Sequence, residues 1–201
     1  TFAMAWRRLS STFAGTGRGR EEQLRAITKA YAFRDRLSEN ERLLTEGSYF
    51  SYGPSPDLDR TIAAYEALVA RDTANQAALN NVGTRYNMRG DYDKAIAALE
   101  RATRVERPFG GAFTNLIGIY LAKGDIAGAE RTQAEFKRRL PSHARHWAME
   151  AEILAAKGKV DSAAALARKK YGEARNAAER DMSSFYAGTF DYLRGRPSDG
   201  L

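Results

Sequence analysis

The sequence predicts an all-α protein, a solenoid of stacked helix-turn-helix units, and three observations predict it. Between Asn75 and Phe109, apolar or small residues fall at Leu79, Val82, Gly83 and Tyr86, then at Tyr92, Ala95, Leu99 and Ala102. Those are two helical stripes, broken once at Gly90-Asp91. The same phase returns 34 residues later at Phe113, Leu116, Tyr120, Gly124-Asp125 and Ala129, and again at Trp147, Ala151, Leu154, Gly158 and Ala163. Finally, Gly83 and Ala95 are small where the two helices of one unit must cross closely.

Taken in order, residues 3–37 read as a first unit. Trp6, Leu9 and Phe13 lie on its first helix, and Leu24, Ile27, Ala30 and Tyr31 on its second. The glycine-rich stretch Gly15 to Gly19 between them reads as a loop between helices. No strand precedes it and no lysine-Ser/Thr follows, as a phosphate-binding loop would need. In the second unit, 38–75, Ser38 with Glu41 is a capping box. Leu43, Leu44, Tyr49, Phe50 and Tyr52 follow, and the Gly53-Pro-Ser-Pro56 run must end that helix. Its aromatic residues are either core or a binding patch. The units 76–109, 110–143 and 144–177 are the regular ones, with Ser142 the expected cap of the helix carrying Trp147. A last helix, about 178–194, carries Phe185, Tyr186, Phe190 and Tyr192 and has no partner helix after it. The last few residues read as disordered.

The spacing resembles the tetratricopeptide repeat (TPR): Leu79 stands where that pattern prefers Trp, Val82-Gly83 stands for Leu-Gly, and Tyr86, Ala95, Leu99 and Ala102 follow in place. The resemblance implies a right-handed superhelical solenoid spanning 1–201 as one domain, with a concave surface lined by the first helices. A narrower resemblance rests on DRLSENERLLTEGSYF and PDLDRTIAAYEALVARD (residues 35–50 and 56–72) with RPFGGAFTNL (107–116). These segments are similar to the C-terminal helical repeats of bacterial serine/threonine protein kinases and related signalling regulators. That implies a bacterial signalling context and a piece of a longer protein.

Composition restricts the function classes. The chain has no cysteine, so disulfides, thiolate metal sites and cysteine nucleophiles are excluded. No apolar run reaches the ~18 residues of a membrane-spanning helix. Residues 1–14 read as an amphipathic helix containing Arg7 and Arg8 rather than as a signal peptide. The net charge of +7 is spread thinly, with 8 basic against 5 acidic residues over 1–41 and 7 against 4 over 144–177. It reads as a solvated face, and nucleic acid is not expected as a partner. The only histidines, His143 and His146, lie near Glu150, but without a second pair they read as exposed residues at a helix start. No nucleophile elbow, kinase motif or P-loop occurs, so no catalysis, metal or cofactor is expected.

The expected function is therefore recognition of a protein or peptide by a scaffold module. From the third unit the groove lining should include Asn80, Asn81, Thr84, Asn87 and Met88; from the fourth Thr114, Asn115, Gly118 and Leu121; from the fifth Arg145, Ala148, Met149 and Glu152. Asn81 and Asn115 sit one period apart. Their amides either contact the backbone of an extended peptide or bond to a neighbouring helix. The carboxylate clamp that the family uses for C-terminal tails is matched only at Asn115. Arg145 replaces a lysine, Asn80 and Thr84 replace the first lysine and asparagine, and Met149 replaces the arginine. A second reading is end-to-end self-assembly through Phe185, Tyr186, Phe190 and Tyr192 on the last helix. A third is binding of an acidic polymer, which rests on the net charge alone.

Overall fold

A computed structural model describes residues 2–16 and 19–195. The described residues contain eleven α-helices and one 3-10 turn, and no strand is found among them. The chain divides into two compact units, 1–106 and 107–201.

The first unit holds α1 (Phe2–Thr16), α2 (Arg20–Ala32), α3 (Glu39–Tyr52), α4 (Leu58–Arg71), α5 (Gln76–Arg89) and α6 (Tyr92–Arg104). Each packs mainly on its sequence neighbour, and α1 also touches α3. Short connections force successive helices to run antiparallel. Local chemistry sets the ends. Ser38 caps α3 with the reciprocal Glu41 bonds of a capping box, Asp57 caps α4 at Arg60 N (2.9 Å), and Asn75 caps α5 at Ala78 N (3.0 Å). Helix α3 stops at Gly53, before the two prolines. Helix α1 continues through Thr16, so the loop expected over 15–19 is shorter; residues 17 and 18 lie outside the described residues.

Close approach fixes the first core. A Cβ placed on Gly83 would sit 2.7 Å from Leu99 Cγ, and Ala95 and Leu99 are fully buried. One on Gly47 would meet the Tyr65 ring at 2.5 Å, so α3 and α4 approach over a bare backbone.

The second unit holds α7 (Gly110–Ala122), α8 (Ile126–Arg139), α9 (His146–Ala156), α10 (Val160–Glu173) and α11 (Ala177–Leu193). Helix α7 touches α9, and α9 touches α11, in addition to the sequential pairs. Phe113 and Phe136 stack at 5.0 Å in the middle of one cluster with Ile117, Met149 and Ile153. Ala151, Ala163, Ala164, Ala167, Ala187 and Phe190 make a second.

The turns repeat with the sequence. Gly90, Gly124 and Gly158 all have positive φ (86°, 74° and 76°), a conformation that side chains disfavour, at the same place in three successive helix pairs. Ser142 caps nothing: α9 starts at His146, directly after Arg145, because residues 141–145 are spent on a turn that seats both histidines. The His143 and His146 rings lie 4.9 and 4.4 Å from the Phe136 ring, and His146 Nε2 lies 2.7 Å from the Leu140 carbonyl. Glu150 instead accepts from Lys137 (3.0 Å), and no group of metal-ligating side chains gathers among the described residues. Residues 196–201, where disorder is expected from sequence, lie outside the described residues.

Candidate functional site

In the first unit, α1, α3 and α5 are the first helices of their pairs and share one face. Its centre is Tyr52, at the end of α3. The Tyr52 hydroxyl accepts from Arg85 Nη2 of α5 at 2.8 Å, and its carbonyl accepts from Arg20 Nη1 at 3.0 Å. Arg85 Nη1 also lies 2.8 Å from the Met88 sulfur, a weak acceptor. Beneath them the Tyr65 hydroxyl is buried within 3.5 Å of Ser48 Oγ. Burial pushes the Tyr65 pKa above the ordinary tyrosine value, and the Ser48 hydrogen bond and the Arg85 charge act the other way. Nearer the start of α5, Asn80 Nδ2 donates to Asn81 Oδ1 (3.3 Å) and Thr84 Oγ1 to the Asn81 carbonyl (2.8 Å). Asn87 and Met88 are exposed.

In the second unit the corresponding helices are α7, α9 and α11. Thr114 Oγ1 is turned onto the Gly111 carbonyl (3.1 Å), and Asn115 is partly exposed. Gly118 has no atom within 4 Å of where a Cβ would be, an open strip on α7. Arg145 is exposed at the head of α9. Glu152 accepts from the Tyr186 hydroxyl at 2.5 Å, and burial together with that carboxylate raises the tyrosine pKa. Trp147 meets the Tyr186 ring edge-on at 5.3 Å.

No family model matches the sequence, and no curated protein matches it significantly. Solved structures do match its backbone. A tetratricopeptide repeat protein from Parabacteroides merdae aligns with a TM-score of 0.67 at 16% identity, over 96% of this chain and 73% of its own. TTC0263, a thermophilic TPR protein of Thermus thermophilus, aligns with a TM-score of 0.69 at 16% identity, over 92% and 98%. The fold is that of the TPR proteins. YrrB, described as a TPR protein with an unusual peptide-binding site, aligns with a TM-score of 0.53 at 18% identity, over 85% of this chain and 84% of its own. At such identities the likeness establishes the TPR fold and no ligand.

Set on this TPR fold, the predicted lining divides. Asn80, Asn81, Thr84, Asn87 and Met88 lie together on α5, and Thr114 and Asn115 on α7 of the other unit. Met149 is a correction: it is 4% exposed, packed in the Phe113–Phe136 cluster, and Ala148 is fully buried. Helix α9 is covered on two sides: Ala148 and Met149 face the Phe113–Phe136 cluster, while the expected core positions Trp147, Ala151 and Leu154 line the alanine-rich one, with Ala151 fully buried. Phe190 is the second correction, 3% exposed in the alanine-rich cluster and thus no part of an end surface. Tyr186 joins it there, whereas Phe185 and Tyr192 stay 69% and 73% exposed. Sequence reading missed Arg20, Arg85 and Tyr52 as one group, because they come from three helices and charges at such spacing read as solvent-facing.

Proposed function

We propose that the chain is a non-catalytic scaffold module that recognises a protein or peptide along the face of its first helices, within a larger bacterial signalling protein. The observation that carries this is the α1–α3–α5 face, where hydrogen-bonding side chains from separate helices stand side by side without building a core. In an ordinary interior they would be satisfied or absent. Here Tyr52 is 37% and Met88 65% exposed, the profile of a surface that adapts to a ligand. The TPR fold supports the reading, and YrrB is one protein of that fold with a peptide-binding site. The signalling context rests on the sequence resemblance around residues 35–72 and 107–116.

The test is selection of peptides from a random library on the purified chain, followed by hydrogen-exchange footprinting of the best binder. Protection of α1, α3 and α5, or of α7, α9 and α11, is expected. Protection confined to α2, α4, α6, α8 or α10, or the absence of any binder, refutes it.

One observation favours self-assembly as a second reading. Phe185, Tyr192 and Leu193 (59% exposed) lie bare on α11, and at the other end of the chain Phe2 (83%) borders an apolar cleft with Ala3, Trp6 and Phe33. Contiguous exposed apolar surface marks interfaces. Light scattering over a concentration series decides it: a constant monomer mass eliminates assembly.

A further inference from the structure

Four buried side-chain polar atoms have no hydrogen-bond partner among the described residues, and two are arginine Nε atoms on first helices of the first unit, in Arg7 and Arg85. A guanidinium taken partly out of water is costly unless its donors and its charge are matched. Neither arginine has a carboxylate partner. Arg85 reaches only a phenol oxygen and a thioether, and Arg7 makes no side-chain hydrogen bond or ion pair to a described residue. Arg20, which joins Arg85 at Tyr52, bonds the Tyr52 carbonyl and Gln23 Oε1 (2.9 Å), again no acid. The carboxylate nearest to Arg7 in effect, Glu41, is committed to Ser38 N and Oγ in the capping box.

Other arginines of the same unit are either paired with an acid or, like Arg60 over the Phe50 ring and Arg101 on the Thr73 carbonyl, make single contacts apart from one another. Arg42 pairs with Glu39 and Glu46, Arg89 with Asp59 and Asp91, and Arg104 with Glu100. Arg20 and Arg85 come together at Tyr52, and the charges of Arg7 and Arg85 both act on the Tyr65 hydroxyl beneath it. Burial lowers the Arg7 pKa, as expected of a cation lacking a counter-charge, and the Tyr65 hydroxyl and Glu41 only partly offset it. Tyr52 accepts from Arg85, which leaves its own O–H free to donate outward. A guanidinium fork and a phenol O–H suit an oxyanion, since charge-assisted bonds are about twice as strong as neutral ones.

We propose that the face around Tyr52 is an anion subsite, with Arg20 and Arg85 as its cations and the Tyr52 hydroxyl as its neutral donor, and that it takes the oxyanions of an acidic peptide segment. The inference rests on the peptide-recognition reading above and names the ligand's chemistry. Aspartate or glutamate carboxylates and phosphoserine share that chemistry, and the test separates them.

The probes are fluorescein-labelled peptides of one length: serine/glutamate, its serine/glutamine isostere, and a phosphoserine version, titrated by anisotropy against the full chain. The expected result is binding of an anionic peptide at least about tenfold tighter than the glutamine isostere, the scale of one lost charge-assisted hydrogen bond. The tighter of the two anionic peptides identifies the source. Arg85→Gln and Arg20→Gln should each weaken it about tenfold. Arg104→Gln, whose charge is already paired, should leave it within about twofold. Arg85→Lys, which keeps charge but not the fork, should recover part of the loss and shows that the variant is folded. Equal binding of acidic and glutamine peptides, or an unchanged affinity in Arg85→Gln, overturns the subsite while leaving peptide recognition standing. Binding to none of the three, when library selection also fails, overturns both. An unlabelled single-stranded oligonucleotide displacing the peptide at equal charge concentration overturns the peptide assignment in favour of a polyanion.

Discussion

Asp191 ties α11 to α10 through a buried ion pair. It is fully buried and held by Arg168 of α10 at 2.6 Å and by Arg194 at 3.2 Å, and Arg194 also reaches Asp161 at 2.6 Å. The partners are not equally buried, with 34% of the Arg168 side chain and 17% of Arg194 exposed. That asymmetry sets the order of effects. In Asp191→Asn the arginines can turn to water, so the loss is about two charge-assisted hydrogen bonds less what water returns, about 2 to 3 kcal/mol. In Arg168→Met with Arg194→Met the carboxylate stays buried without counter-charge, and the loss rises to about 3 to 5 kcal/mol. Trp147 reports the event, because its ring packs on Tyr186 of α11; replacing Trp6 by Phe leaves it as the only tryptophan. A loss of about 3 kcal/mol raises the population with α11 undocked about a hundredfold, which amide exchange in α11 resolves. Should the double arginine variant prove no less stable than Asp191→Asn, the reasoning from uncompensated buried charge is wrong here.

Other perturbations follow from the packing. Ala95→Leu inserts three carbons beside Gly83 and Leu99 where nothing is exposed, and should cost about 1 to 3 kcal/mol in a urea midpoint series. Phe190→Ala should cost about 3 to 5 kcal/mol while Phe185→Ala stays within about 0.5, since only the first is buried; equal effects would place the aromatic faces of α11 the other way round. His143 carries a pH dependence. Desolvation, then the neighbouring His146 and Arg145 charges, hold its pKa below the ordinary histidine value. The unfolded chain therefore takes up the proton first, and stability present above the unfolded value of about 6.5 declines as pH falls through the folded one. Urea midpoints at about pH 7.5 and 5.5 should differ more in the wild type than in His143→Gln.

The pair architecture was legible in the sequence because its causes are local. Positive-φ glycines recur every 34 residues, and Gly83 and Ala95 mark a close helix crossing that needs no knowledge of distant residues. The Ser38–Glu41 box and the stop at Gly53-Pro are equally local, and both are found. What the sequence did not show is a second buried side that long-range contacts create. Helix α9 starts late, with His143 and His146 against Phe136, seven and ten residues back, and the cluster of Phe113 and Phe136 covers a second side of the helix and buries Met149. Asp191 was invisible for a similar reason: an acid between aromatics reads as the polar side of a helix, and its partner Arg168 is 23 residues away. On α11 the sequence showed four aromatics on a last helix with no partner after it. The structure divides them into Tyr186 and Phe190 inside and Phe185 and Tyr192 outside.

Asp191 and Arg85 are governed by the same rule from opposite sides. At Asp191 and at Arg42 the counter-charge is built in: Asp191 has two arginines, and Arg42 has two glutamates. Water cannot solvate a buried ion, so selection for stability alone leaves matched pairs or apolar side chains at such places. Arg85 has no such counter-charge beside Tyr52. A hydrophobic side chain or a nearby acid would stabilise the first unit more. Arg85→Met should accordingly leave stability equal or higher by up to about 1 kcal/mol while abolishing discrimination between acidic and glutamine peptides. That opposition between stability and recognition distinguishes a binding residue from a structural one. A destabilised Arg85→Met chain with peptide discrimination intact would return the arginine to the fold.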